Sequence, residues 1–229
     1  MVDYIKKSRS ILRNFLIAII TPIHFSIYTG HFLSSLLGKA VSAKGKPILW
    51  FTFPAIDFLT TKDFSSSDIL EFGGGQSTLF WLSKAKSVTT FETDIMWKNK
   101  IEKLSNGDSK LNLLFTPDNH SQIDYVNNFL KKNQRSFDVI VIDGMDRSSL
   151  FSLAVDYVTD DGMIICDNAE GYDFYKAWQE HPSFMRIDFS GHGPGILHPH
   201  TTSILFKKNC KFTNIVNPIF IQKYKYKKI

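Results

Sequence analysis

From Asp68 onward the apolar positions fall into short runs separated by stretches of helical spacing. Runs at 69–72, 88–91, 111–115, 139–142 and 163–166 are short and mostly look buried rather than alternating, the pattern of strands covered on both faces. Between them, apolar residues recur at three and four: Leu79, Phe80 and Leu82; Trp97, Ile101 and Leu104; Ile123, Val126 and Leu130; Leu150, Leu153, Ala154 and Tyr157. Strands that alternate with helices need right-handed crossovers and a mostly parallel sheet, so the pattern predicts a doubly wound α/β fold. A helical stretch at 172–178 stops before Pro182, and two more strands are expected at 185–189 and 202–206. The segment between those strands, SGHGPGILHPHT, reads as a lid-like loop.

Ligands of such sheets bind beyond the carboxyl ends of the strands, which directs attention to the residues there. The first run leads into ILEFGGGQST, where Glu71 precedes Gly73, Gly74 and Gly75 and a helix begins near Ser77. Glycines let the backbone turn and approach a ligand, and the helix offers its amino-terminal amides. A dinucleotide fingerprint needs a third glycine at position 78, which is Thr78, and an acid beside the loop disfavours a pyrophosphate. A nicotinamide oxidoreductase is disfavoured on the same ground. The pattern favours a cationic, phosphate-free ligand such as S-adenosylmethionine, whose sulfonium and ammonium groups suit a carboxylate. Glu92 ends the second run, 21 residues beyond Glu71, the placement of an acceptor for ribose hydroxyls. Asp118, after the third run, is expected to face the adenine amino group.

EFGGGQST, FETD, FDVIVIDGMDR and DDGMIICDNAE together resemble the class I S-adenosylmethionine-dependent methyltransferases. The segments GHFLSSLLGKAVSAKGKPILWFTFPAIDFL and GPGILHPHTTSILF are similar to a group of bacterial methyltransferase-like proteins, so the resemblance spans about residues 30–206. It implies a Rossmann-like, seven-stranded fold and methyl transfer from a cofactor held by Glu71, Gly73, Gly74, Gly75, Ser77, Glu92, Asp118 and Asp143. Ser77 stands where the family's loose motif has another glycine.

Methyl transfer requires an aligned acceptor and, for a hydroxyl, removal of its proton. Asp143 ends the fourth run, and Asp167 with Asn168 ends the fifth. That trio resembles the Mg²⁺-binding set of catechol-type O-methyltransferases, with the departure that no Lys follows Asp143 at the position of those enzymes' base. Asp143 and His192 are the catalytic candidates: His192, His198 and His200 lie in the lid-like loop and histidine titrates near neutral pH, and His192 is preferred among them because it stands between two glycines. Cys166, Trp81 and Trp97 read as packing residues, while Trp50, Phe51 and Phe53 either roof an acceptor pocket or cover a sheet edge.

Charge changes the picture only when divided along the chain. Residues 1–48 carry seven Lys or Arg against one acid, Asp3, and residues 207–229 carry seven Lys and no acid, whereas residues 49–206 hold 21 acids against 13 basic residues. An acidic body argues against a nucleic-acid groove, which depends on Lys and Arg. Two cysteines without a CxxC exclude a disulfide scaffold and a structural zinc site, and a cytoplasmic protein is expected. The division predicted is a helical extension at 1–60, a cofactor-binding domain at 61–206 and a basic tail at 207–229.

The amino-terminal apolar run is interrupted by Pro22, His24, Ser26 and His31, so membrane spanning is not expected. Packing against the body or a partner subunit, in a homo-oligomer, is favoured over an interfacial helix with Lys6, Lys7, Arg9 and Arg13 on anionic lipid at the inner face of the membrane. The function expected is methyl transfer to a small-molecule or glycan-like acceptor, at a hydroxyl. The alternative is a non-catalytic partner protein of the same fold in a membrane-peripheral biosynthetic assembly.

Overall fold

A computed structural model of the chain describes residues 2–116, 122–133, 135–144 and 146–213. Three helices come first: α1 (Val2–Thr29), α2 (His31–Leu37) and α3 (Phe53–Thr60). Strands and helices then alternate as β1 (Asp68–Phe72), α4 (Gln76–Leu82), β2 (Ser87–Glu92), α5 (Ile95–Ser105), β3 (Leu111–Phe115), α6 (Gln122–Asn133), β4 (Phe137–Ile142), α7 (Arg147–Tyr157) and β5 (Val158–Cys166). After α8 (Phe174–Gln179) come β6 (Met185–Gly191) and β7 (His200–Phe206).

The strands form one seven-stranded sheet in the order β3-β2-β1-β4-β5-β7-β6. Neighbours from β3 through β5 pair in parallel, and β7 runs antiparallel to both β5 and β6. The chain winds outward from β1 in one direction and from β4 in the other, so a crevice opens where β1 and β4 meet. Alternate side chains of the buried strands go to opposite faces, as the period of two requires. Ile69, Val139, Val141 and Ile165 join one core; Leu70, Ile140, Ile142 and Ile164 join the other, beneath α6, α7 and α8.

The first core also contains Leu49, Phe51, Phe53, Ala55, Ile56 and Leu59. A division of the chain at residue 60 therefore runs through a single packed layer, and Phe51 belongs to that core rather than to a roof. Cys166, Trp81 and Trp97 differ in depth: the first two are fully buried, and Trp97 is half-buried beneath the Lys100 ammonium, 3.9 Å from its ring centre. Burial pushes the Cys166 thiol far above its ordinary pKa, so it is inert packing.

Helix α1 departs from expectation. It continues through Pro22 as one helix, and its residues from Ser10 to Thr29 are not buried against the body. A proline inside a helix removes one hydrogen bond, yet the helix runs on both sides of Pro22 without a break.

Candidate functional site

The residues after β1 and β2 fold into a cradle whose two carboxylates hold its own loop. Gly73 has φ +88°, and a Cβ there would meet the Gly144 amide nitrogen at 2.7 Å. Only glycine allows that turn, and it brings the loop after β1 against the loop after β4. A Cβ on Gly74 would meet the Ile101 side chain at 2.5 Å, whereas Gly75 faces open space. Glu92, nearly buried, accepts from the Gly74 amide through one oxygen and from the Thr93 and Asp94 amides through the other, at 2.8 to 2.9 Å. Its carboxylate thereby pins the glycine loop to the end of β2.

Glu71 is fully buried beneath the same loop. One oxygen accepts from the hydroxyls of Thr78 at 2.5 Å and Thr90 at 3.0 Å, and Thr78 in turn accepts from the Gly75 amide at 3.0 Å. The other oxygen, Oε1, has no partner among the described residues. Burial raises the carboxyl pKa to about 7, opposed by the neighbouring hydroxyls of Ser77, Thr78 and Thr90, and the negative charge of Glu92 adds to the rise. A buried carboxyl with one oxygen unmatched is suited to a cation that arrives with the ligand. Thr78, which spoils the dinucleotide fingerprint, is the residue that connects the loop to Glu71.

Across the crevice, Arg147 opens α7 and gathers the ends of β4 and β5. Its guanidinium donates to the carbonyls of Gly144, Asp167 and Asp143 at 2.9, 2.6 and 3.1 Å and to Asn168 Oδ1 at 2.9 Å. It also pairs with the Asp143 carboxylate at 3.2 Å, and the Tyr172 ring lies 4.6 Å from it. Asp143 has a pKa well above the usual carboxylate range, from burial first and then from the Asp167 charge, with Arg147 opposing. Asp167 is engaged on the β7 side. It accepts from Thr202 at 2.6 Å, and His200 Nε2 stands 3.6 Å from the same oxygen. His200 is nearly buried with neither ring nitrogen hydrogen-bonded among the described residues. The Asp167 carboxylate beside it raises its pKa, against burial.

No protein-family model matches the sequence, and no curated protein matches it. Solved structures do match. An O-methyltransferase of tomaymycin synthesis from Streptomyces achromogenes, in complex with S-adenosylmethionine, is similar over 80% of this chain and 87% of its own, at 14% identity and TM-score 0.55. An O-methyltransferase from Bacillus cereus, with S-adenosylhomocysteine, is similar over 80% of this chain and 91% of its own, at 15% identity and TM-score 0.55. An rRNA methylase from Streptococcus thermophilus is similar over 67% of this chain and 96% of its own, at 16% identity and TM-score 0.50. The chain has the class I S-adenosylmethionine-dependent methyltransferase fold.

Within that methyltransferase fold, the structure gathers most of the residues selected from the sequence. Glu71, the three glycines, Ser77 and Glu92 meet in the cradle, and Asp143 faces them across the backbone contact between Gly73 and Gly144. Asp118 lies outside the described residues.

The expected Mg²⁺ set does not fit. Mg²⁺ demands close, near-octahedral oxygen ligands, but Arg147 already occupies the place between Asp143 and Asn168, and Asp167 is committed to Thr202. A fixed guanidinium neutralises Asp143 and repels a second cation. Among the described residues no group of three or more His, Cys, Asp or Glu could hold a metal.

His192 also stands apart from the acids. It is exposed beyond β6, its carbonyl accepts from the Phe53 amide at 2.9 Å, and its ring lies 6.5 Å from that of His31. The histidine beside the site is His200, at the start of β7. Sequence reading passed over Arg147 and Thr202, took Thr78 only as the break in a dinucleotide fingerprint, and ranked His200 behind His192. The available signal was the position of His200 and Thr202 at the mouth of a predicted strand, but choosing them required knowing that β7 pairs with β5.

Two cavities flank Phe25 rather than the strand ends. One of about 640 Å³ is lined by Phe25, Phe53, Pro54, Phe58 and His192, and one of about 570 Å³ by Tyr28, Ile48, Phe53 and Ile56. Phe53 thus contributes to both, consistent with an apolar wall above the first core.

Proposed function

We propose that the protein is an S-adenosylmethionine-dependent methyltransferase acting on a hydroxyl of a small-molecule or glycan-like acceptor. The observation that carries this reading is the cradle, above all the buried, unmatched Glu71 Oε1 beneath a glycine loop held by Glu92. The residues fit the cofactor: the glycine loop and the first turn of α4 would lie along its methionine end, Glu71 would supply negative charge to its cationic groups, and Glu92 would accept from its ribose. The bound cofactor would supply an activated methyl group on a sulfonium.

The rest falls to this chain's own side chains. Arg147 keeps Asp143 and the ends of β4 and β5 in place without a metal. His200 is the proton acceptor for the hydroxyl, because its ring nitrogens are unengaged and Asp167 stabilises the imidazolium that forms. Asp143, in the crevice, orients the acceptor.

Isothermal titration tests the reading. S-adenosylmethionine is expected to bind with an affinity that rises with pH through about 7, because Glu71 must lose its proton to meet the cation. Glu71→Gln should flatten that pH dependence, and Glu92→Ala should weaken binding by roughly tenfold or more, the loss of hydrogen bonds to a charged acceptor. Absence of binding by the wild-type protein at any pH would refute the assignment and favour a non-catalytic partner protein. Once an acceptor is found, His200→Ala should lower kcat far more than it changes KM and remove the acidic limb of the pH profile.

A further inference from the structure

The largest apolar surface among the described residues belongs to α1. Phe15 is 61% exposed, Ile20 56%, Ile23 55% and Ile27 61%. At about 100° per residue, Phe25, Phe15, Leu12, Ile20 and Ile17 point in five different directions that together exceed half the circumference. The groove of a partner protein covers one stripe of a helix; a lipid phase covers every side. Between Ser10 and His24 the polar residues keep to one strip through Ser10, Asn14 and Thr21, with Arg13 and His24 at its margin, and only Ser26 and Thr29, near the end at the body, lie on other sides.

Length and charge both agree with lipid. The stretch Ser10–Thr29 holds 20 residues, is long and apolar enough to cross a membrane and is not buried. At 1.5 Å per residue it measures about 30 Å, the thickness of a bilayer's hydrocarbon core. Lys6, Lys7, Arg9 and Arg13 cluster toward one end against the single acid Asp3, a composition that complements anionic headgroups.

The far end of the helix is fastened to the body, which distinguishes it from a leader meant to be removed. Phe25 sits edge-on to Phe53 at 5.5 Å. Just beyond, His31 Nδ1 lies 3.0 Å from the Gly193 carbonyl, and the Ser34 hydroxyl donates to the Val41 carbonyl at 2.9 Å. Between helix and body the chain turns at Gly30, whose φ is +86° and where a Cβ would strike the Val41 carbonyl at 2.4 Å.

We propose that α1 is a retained membrane anchor, its apolar circumference embedded in the acyl region of an anionic bilayer and its basic end among the headgroups. This placement is independent of the methyltransferase reading. It sets the cavity beside Phe25 and His192 where the helix leaves the lipid.

The test uses the full chain, purified in detergent and mixed with phosphatidylcholine vesicles with and without phosphatidylglycerol. In flotation the protein is expected to rise with both kinds, more completely with the anionic ones, and to stay bound in high salt. The double variant Ile19→Lys, Ile23→Lys should reduce the bound fraction at least about tenfold, because charge at a helix centre opposes insertion. Both positions are exposed, so its near-ultraviolet circular dichroism should match wild type. The proposal is overturned if the wild type fails to float, if salt releases it, or if the double variant floats equally well. It is also overturned if intact mass shows the segment removed in cells, or if sedimentation without lipid reveals an oligomer that the double variant abolishes.

Discussion

The strand-end cradle and α1 invert the same rule in opposite directions. At the strand ends, Glu71 and Glu92 in the cradle and Asp167 across the crevice are buried; on α1, Phe15, Ile20, Ile23 and Ile27 are exposed. Buried charge demands partners, and Glu92 and Asp167 find them in backbone amides and hydroxyls, while Glu71 keeps one oxygen unmatched. Exposed apolar area likewise calls for a cover that the described residues do not provide. The contrast teaches what kind of partner each region awaits. One unmatched oxygen under a loop calls for a small cationic ligand, and a whole helical circumference calls for an extended apolar phase.

The difference can be broken most severely at Arg147. Arg147→Ala leaves Asp143 beside Asp167 with no counter-charge and removes donors from three carbonyls. A loss of about 3–5 kcal/mol in denaturant unfolding is expected, the cost of orphaning buried charge. A loss below about 1 kcal/mol would show that the guanidinium is not the structural cation of the site. Added Mg²⁺ should not restore stability.

Glu71 gives the next largest effect, and its sign is opposite to that of a salt-bridged acid. Its folded pKa of about 7 exceeds the ordinary 4.5, so between these values the folded protein keeps a proton that the unfolded chain releases. Stability from this group therefore falls as pH rises from about 4.5 to 7 and is flat beyond. The fall amounts to about 3 kcal/mol at 1.36 kcal/mol per unit. Urea midpoints of Glu71→Gln measured across that range should lack the slope; an unchanged slope would mean the carboxyl is solvated. His200, raised by Asp167, works in the same direction, its contribution being complete below about pH 6.5 and lost as pH rises through its folded pKa.

The smallest change sharpens the contrast from the other side. Ile20→Ser on α1 should alter the melting free energy of the lipid-free protein by less than about 0.5 kcal/mol, because no described residue removes the side chain from water. The same substitution at Ile140 or Ile164, fully buried in the sheet, should cost about 3 kcal/mol or more. Comparable losses at the two places would mean that α1 folds back onto the body in solution.

Much of the cradle was legible because its causes are local. Glu71, the glycines and Glu92 lie at the ends of apolar runs, and a parallel sheet puts such ends along one edge whatever the details of packing. The second half of the site was not local. Asp167 and Asn168 look like metal ligands when read in isolation, and the distance from Arg147 to Asn168 along the chain hides the bond between them. His192 and His200 lie in the same loop region with similar surroundings in sequence. Pairing of Cys166 with Ser203 is what brings the mouth of β7, with Thr202 and His200, to Asp167.

By itself, the sequence determined the alternation of strands and helices, the acidic body between basic ends and the glycine turn between two carboxylates, since these follow from periodicity, composition and steric freedom within a few residues. Only the tertiary structure decided which cation sits at Asp143, which histidine faces Asp167 and whether Pro22 ends α1. Those outcomes depend on strand register and on which surfaces the folded body covers, and they bring together groups that are far apart along the chain.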